Sequence, residues 1–231
     1  MSRTFAITGA FGVLGAAVAV AFVQAGHRTA LIDFAATPSP ALVQACGADN
    51  HYIGGVDLAD GLQARAAIDQ AATVLGGLDG LINVAGGFAW QTLEAGDPAT
   101  WEHLYRMNVL TAANAFRAAI PHLKASSAGR IVNIGARGAL NAAAGMGAYA
   151  ASKAGVHSLT QSLAEELKPD KITVNAVLPS IIDTPANRAD MPNADFAAWV
   201  SPGELAAAIL FLASESASGI TGALLPVSGR V

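Results

Sequence analysis

The chain has 231 residues, 53% of them hydrophobic and 13% charged, with 24 glycines and a formal net charge of -4 at pH 7. That balance offers no basic face for nucleic acid, and although the mean hydropathy is positive, Gly, Pro or charge interrupts each apolar run before it could span a bilayer. One cysteine, Cys46, cannot form an internal disulfide, and the N-terminal stretch carries no secretory pattern, so a cytoplasmic, reducing setting is expected.

Length and composition suit one domain over residues 1–231, with no repeat or linker inside it. Short β-branched runs predict strands over residues 4–8, 29–33, 51–54, 80–84, 130–134, 173–177 and 223–227. Between them, Ala/Leu-rich segments predict helices over 13–24, 40–45, 58–75, 98–123, 147–167 and 202–212. This alternation is the pattern of βαβ units, and it implies a doubly wound parallel sheet of about seven strands in three α/β/α layers. Two irregular stretches, 85–97 and 179–200, follow predicted strands, where ligands of such sheets are bound; the second is the expected substrate loop.

Chemistry enters at the first βα turn, Thr8-Gly-Ala-Phe-Gly-Val-Leu-Gly15. Glycines at 9, 12 and 15 allow a tight turn, close approach of backbone to a pyrophosphate, and close helix-on-sheet packing. The backbone of Gly9, Phe11, Gly12, Val13, Leu14 and Gly15 is therefore the candidate phosphate cradle of a dinucleotide, with free N–H groups at the helix start. Asp33, at the end of the second predicted strand, can accept both ribose hydroxyls and repel a 2'-phosphate, and no Arg follows closely to hold one. NAD(H) is expected over NADP(H).

Tyr149 and Lys153 stand four apart on the helix predicted over 147–167, so they share a face. A free phenol titrates near ~10, and a held ammonium beside it is expected to lower that value toward general acid/base work. The five histidines, His157 among them, show no ligand spacing, and no metal site is expected.

With the glycine turn, Asn83-Val-Ala-Gly86, Asn108, the Tyr149/Lys153 pair and the stretch from Pro179 to Thr184 in order, the chain resembles the short-chain dehydrogenase/reductase family over its whole length. The resemblance implies a Rossmann-like fold and a nicotinamide-dependent oxidoreductase acting on a small molecule, with no nucleic acid or membrane partner. It implies that Tyr149 passes the proton, that Lys153 binds the nicotinamide ribose and tunes the phenol, and that Asn108 holds a water on the proton path. It further assigns Asp57 and Leu58 to the adenine, Asn83, Ala85 and Gly86 to the adenine ribose, and Pro179, Ile182 and Thr184 to the nicotinamide and phosphates.

Two positions depart from the family pattern. The middle glycine of the turn is Gly12, with Val13 where the family has glycine, and Ala136 stands where the family places a catalytic serine. The chain is similar to the dihydropteridine reductase branch in these places, in Ala85-Gly-Gly87, in Gly145-Met146, and in the run from Leu178 to Phe196 followed by Trp199. Phe88, Trp90, Ala136, Met146 and Tyr149 are the expected substrate contacts. Three readings stay open: a reductase most like that of quinonoid dihydropteridine, a carbonyl or alcohol oxidoreductase working without the serine, and a non-catalytic dinucleotide sensor. Apolar stripes through Trp101, Met107 and Phe116, and through Val156, Leu159 and Leu163, suggest a homodimer or homotetramer.

Overall fold

The computed structural model describes residues 2–47 and 50–231. Strands β1 (Thr4–Thr8), β2 (Arg28–Ile32), β3 (His51–Ile53), β4 (Gly80–Asn83), β5 (Arg130–Ile134), β6 (Thr173–Pro179) and β7 (Leu224–Val227) form one sheet. Its order is β3-β2-β1-β4-β5-β6-β7 and each neighbouring pair is parallel. The chain builds outward from β1 to β3, then crosses back to start the other half at β4. The carboxyl ends of β1 and β4 therefore flank the point where the winding reverses, which is where open sheets of this kind hold ligands.

Helices cover both faces, because strands as apolar as Phe5-Ala-Ile7 and Ile131-Val132 must be shielded on two sides. On one face α1 (Val13–Gln24), α2 (Pro40–Cys46) and α8 (Pro202–Ala213) bury a core containing Phe5, Ile7, Phe22, Ile82 and Leu205. On the other, α3 (Gly61–Leu75), α5 (Thr111–Lys124) and α6 (Gly147–Glu166) enclose Ile68, Leu81, Phe116 and Ile131. The doubly wound, three-layer arrangement is the one the alternation predicts.

Three differences from expectation bear on the site. Helix α3 begins at Gly61 rather than at 58, because the Asp60 carboxylate accepts from the N–H groups of Leu62 and Gln63 and sets the cap there. The single helix predicted over 98–123 is broken into α4 (Ala99–Tyr105), a π-helical turn (Arg106–Leu110) and α5. A π turn adds a residue to the helical repeat and re-aims the side chains on it, here Met107 and Asn108. The stretch 179–200 contains a short helix, α7 (Pro185–Asp190), started by Thr184, whose Oγ1 accepts from the Asn187 N–H, and by Pro185 in the first turn.

The apolar stripes are also corrected. Phe116, Val156 and Leu163 are buried within the chain's own core, and Leu159 packs against it. Those side chains cover the sheet and α3, so a subunit contact does not follow from them. Met107 lies against Gly87, and only Trp101 of the set is exposed.

Candidate active site

A cleft of about 1600 Å³ opens over the carboxyl ends of β1, β4, β5 and β6. Drug-sized ligands occupy roughly 300–1,000 Å³, so this one has room for two molecules side by side. Its floor at β1 is the glycine turn. Gly9 has φ of +61°, and a Cβ there would lie 2.7 Å from the Ala85 nitrogen; a Cβ on Gly15 would overlap the Gly9 carbonyl. Helix α1 starts at Val13, and its cap residue Gly12 has no side chain to accept from the first N–H groups, which leaves them for an anion.

At the end of β2, Asp33 is held in place by two backbone donors: its Oδ2 accepts from Phe11 N–H at 2.8 Å and its Oδ1 from Ala35 N–H at 2.9 Å. The carboxylate is thereby locked to the glycine turn and lines the cleft. Asp57 and Leu58 line the same end, and the Leu58 carbonyl is pinned by Asn114 Nδ2 at 3.0 Å.

At the other end of the cleft stand Tyr149 and Lys153, both on α6. Lys153 is buried and its Nζ donates to the Ile134 carbonyl at 2.9 Å, while Gly86 leaves just enough room above it, since a Cβ there would lie 3.2 Å from Nζ. Burial lowers the Lys153 ammonium to about 8. Burial also pushes the Tyr149 phenol up to about 12, the opposite of the lowering expected from Lys153, and desolvation of the phenolate is the cause. The phenol is therefore protonated near neutrality.

Asn108, on the π turn, is tied off completely. Its Oδ1 accepts from Gly87 N–H at 2.9 Å, and its Nδ2 donates to the Gly87 carbonyl at 3.1 Å and to Ser152 Oγ at 2.9 Å. Ser152 in turn donates to the Tyr149 carbonyl at 2.7 Å. The side chain thus fastens the loop after β4 to α6, with both its N–H groups already used.

The end of the cleft beside Tyr149 is lined by apolar side chains, Phe88, Trp90, Ala136 and Met146 among them. Phe88 meets the Tyr149 ring edge-on, with centroids 4.8 Å apart. Trp90 Nε1 donates to the Ala144 carbonyl at 3.1 Å, its ring lies against Gly145, and Gln91 N–H donates to the Gly145 carbonyl at 3.0 Å. These contacts pin the 85–97 loop to the segment before α6. Ala136 is 4% exposed and presents a methyl group to the cleft where a serine would present a hydroxyl. Across from it, α7 is braced by the Asp183–Arg188 pair, with Nε–Oδ1 at 2.6 Å and Nη2–Oδ2 at 2.8 Å.

Most residues picked from sequence converge on this cleft: Gly9, Gly12 through Gly15, Asp33, Asp57, Leu58, Ala85, Gly86, Phe88, Trp90, Ala136, Met146, Tyr149, Lys153, Pro179, Ile182 and Thr184. Phe11 and Asn83 do not form its wall. The Phe11 ring tilts against Tyr52, and the buried Asn83 amide accepts from Thr8 Oγ1 at 2.9 Å beneath the floor. His103, Arg106, Leu140, Asp190 and Met191 also line the cleft without having been singled out. His157, set aside with the other histidines, lies under the site, and its spacing of four beyond Lys153 was the signal available.

The short chain dehydrogenase family profile matches residues 3–195. The chain belongs to the short-chain dehydrogenase family. It is an oxidoreductase, which sets aside the sensor reading. Among similar short-chain dehydrogenases, a probable galactose dehydrogenase of Rhizobium meliloti is 32% identical, covering 99% of this chain and 94% of that protein. Galactitol 2-dehydrogenase of Cereibacter sphaeroides is 34% identical, covering 97% of this chain and 92% of the relative. Among solved short-chain dehydrogenase folds, the 3-ketoacyl-(acyl-carrier-protein) reductase of Brucella melitensis, complexed with NADH, superposes with a TM-score of 0.87 at 29% identity over 99% of this chain and 98% of that one. Carveol dehydrogenase of Mycobacterium avium, in complex with NAD, gives 0.86 at 27% identity over 98% and 96%.

Proposed function

We propose that the protein is an NADH-dependent reductase whose substrate does not need a serine hydroxyl, of the quinonoid dihydropteridine kind. The observation that carries this is Ala136, buried in the cleft wall with a methyl group at the serine position. Losing one hydrogen-bond donor to a developing oxyanion costs on the order of 2.7–4 kcal/mol, a heavy handicap for a simple ketone. A conjugated quinonoid heterocycle spreads the incoming charge over several atoms and needs that donor less. Phe88, Trp90 and Met146 supply flat apolar walls suited to such a ring.

The cleft's own residues fit a dinucleotide. The glycine turn admits no Cβ at 9 or 15, α1 offers uncapped N–H groups, and Asp33 faces the cleft as a fixed acceptor. A bound nicotinamide supplies the hydride. Asp33 would hold the adenosine ribose and disfavour a 2'-phosphate, Lys153 would hold the second ribose, and Ile182 and Thr184 would flank the nicotinamide. Tyr149 gives the proton, Asn108 keeps α6 in register with the loop after β4, and the aromatic walls exclude water.

A second reading, reduction of a carbonyl or oxidation of an alcohol, is supported by the relatives named above, among them a galactitol 2-dehydrogenase and a 3-ketoacyl-(acyl-carrier-protein) reductase. The test is NADH oxidation with quinonoid dihydropteridine, quinones and activated ketones, on the wild type and on Ala136→Ser. The first reading expects turnover of the pteridine, flat or impaired in Ala136→Ser, and a rise of a few-fold to about a hundredfold on ketones once the hydroxyl is present. Rapid wild-type ketone turnover with no pteridine activity selects the second.

A further inference from the structure

Helix α6 grips the peptide segment after β5 at two points one helical turn apart. Lys153 Nζ donates to the Ile134 carbonyl at 2.9 Å, and the Ala136 N–H donates to His157 Nε2 at 3.2 Å. Between the two grips, Gly135 is bare for a steric reason: a Cβ there would lie 2.5 Å from His157 Nε2 and 3.1 Å from Leu178 Cδ1. Both α6 side chains are buried. A backbone N–H can only donate, so Nε2 presents its lone pair, and the ring is a neutral imidazole with its proton on Nδ1.

We propose that His157 is a positioning residue, which in its neutral form sets where Ala136 stands relative to Tyr149, and whose protonation disables the site from beneath. An imidazolium carries N–H on both nitrogens, so Nε2–H would meet the Ala136 N–H donor to donor. The segment 134–136 would have to shift, taking with it both the methyl that faces the cleft and the carbonyl that holds Lys153. Burial, and then the Lys153 charge, oppose the cation and keep its pKa below the ordinary 6.5. Strand β6 has no titratable residue to offset this, and β5 has only Arg130, at its far end. Arg137 is exposed and donates to the Val231 carbonyl, and α4 with the π turn carries Glu102, His103, Tyr105 and Arg106 at exposed positions. Tyr149, on α6 itself, stays neutral.

The proposal rests on the reductase reading for turnover, but one of its tests does not. In ¹⁵N-labelled ligand-free wild type near pH ~7.5, a through-hydrogen-bond NMR coupling between the Ala136 amide and His157 Nε2 is expected, disappearing as the imidazole protonates below pH 6.5. A protonated Nε2 at ~7.5 overturns the proposal, whatever the substrate proves to be. In turnover, with any substrate that supports NADH oxidation, wild-type kcat should fall about tenfold per pH unit on the acid limb. His157→Gln places a non-titrating acceptor under Ala136, and should keep kcat near ~7.5 within about threefold while flattening that limb. His157→Leu leaves the N–H unpaired and should lower kcat at least about tenfold at every pH. A Gln variant with the wild-type acid limb, or a Leu variant with wild-type kcat, overturns the proposal, and if either fails to fold the NMR coupling decides.

Discussion

Burial moves the pKa values of the two ionisable groups of the site in opposite directions, each toward the neutral form, and the signs give a stability test. Lys153 falls from 10.5 to about 8 on folding, so below pH 8 the folded state carries a buried cation at full cost, and stability rises with pH between 8 and 10.5. Tyr149 rises from 10.0 to about 12, so its contribution is intact below pH 10 and is lost as pH climbs toward 12. Replacing Lys153 with Met should therefore stabilise the ligand-free protein near neutrality by something of the order of 3 kcal/mol and abolish the rise above pH 8. Urea unfolding of both proteins at several pH values checks it, and an unchanged slope would mean that the ammonium is not buried as described. Tyr149→Phe keeps the ring against Phe88 and removes only the acid; kcat should fall by about a hundredfold or more while NADH affinity stays within about twofold. For cofactor choice, Asp33→Ser should narrow the ratio of kcat/KM for NADH over NADPH, since the carboxylate that repels a 2'-phosphate is gone.

Elements place these residues, and the glycine turn shows how finely. A Cβ on Gly15 would overlap the Gly9 carbonyl and lie 2.7 Å from Ala10 Cα, whereas at Gly12 the nearest neighbour, the Gly9 oxygen, is an ordinary 3.6 Å away. Gly15→Ala should cost about 1–3 kcal/mol and at least tenfold in NADH affinity, and Gly12→Ala should leave thermal stability nearly unchanged. Equal melting temperatures for the two variants would contradict the packing described. Element existence was legible because β-branched runs and Ala-rich helical segments differ in period and composition. The π turn at Arg106–Leu110 was not, since its residues continue the helical pattern on both sides and only packing against α6 and the Gly86–Gly87 backbone rewards the wider turn. The start of α3 at Gly61 rather than 58 was hidden for a similar reason: the composition is helical from 58 on, and only the folded geometry shows the Asp60 carboxylate reaching two N–H groups.

Across the whole molecule, function and support are separated by the length of the sheet. At the amino ends of β1 and β4, away from the cleft, Asp79 accepts from Thr4 N–H at 2.9 Å, Thr4 Oγ1 at 3.1 Å and Ser126 Oγ at 2.7 Å. Arg3 donates there to the carbonyls of Ala213, Asp79 and Ala128. Burial works to raise the Asp79 carboxyl, but the hydrogen bonds from Ser126 and Thr4 outweigh it and hold its pKa below 3.8. Its contribution is thus present above that value and lost as pH falls through the acid range. Asp79→Ala should lower unfolding free energy by about 1–3 kcal/mol near neutrality, less in acid, with kcat unchanged within about twofold at a temperature where both proteins are folded. A large loss of kcat without loss of stability would show that the two ends of the sheet are coupled.

The sequence by itself determined the alternation of strands and helices, the glycine turn, Asp33, and the Tyr149–Lys153 face, because each depends on spacing along one element or on a turn that only glycine can make. Tertiary structure decided what depends on burial and on partners far apart in the chain. It turned the expected lowering of the Tyr149 phenol into a rise, since desolvation is a property of the packed interior. It turned Asn83 beneath the floor and Asn108 into a tie between Gly87 and Ser152, and it hid Phe116, Val156 and Leu163 inside the chain. It also set His157 under Ala136, 21 positions away in sequence, where one ring nitrogen meets one backbone N–H.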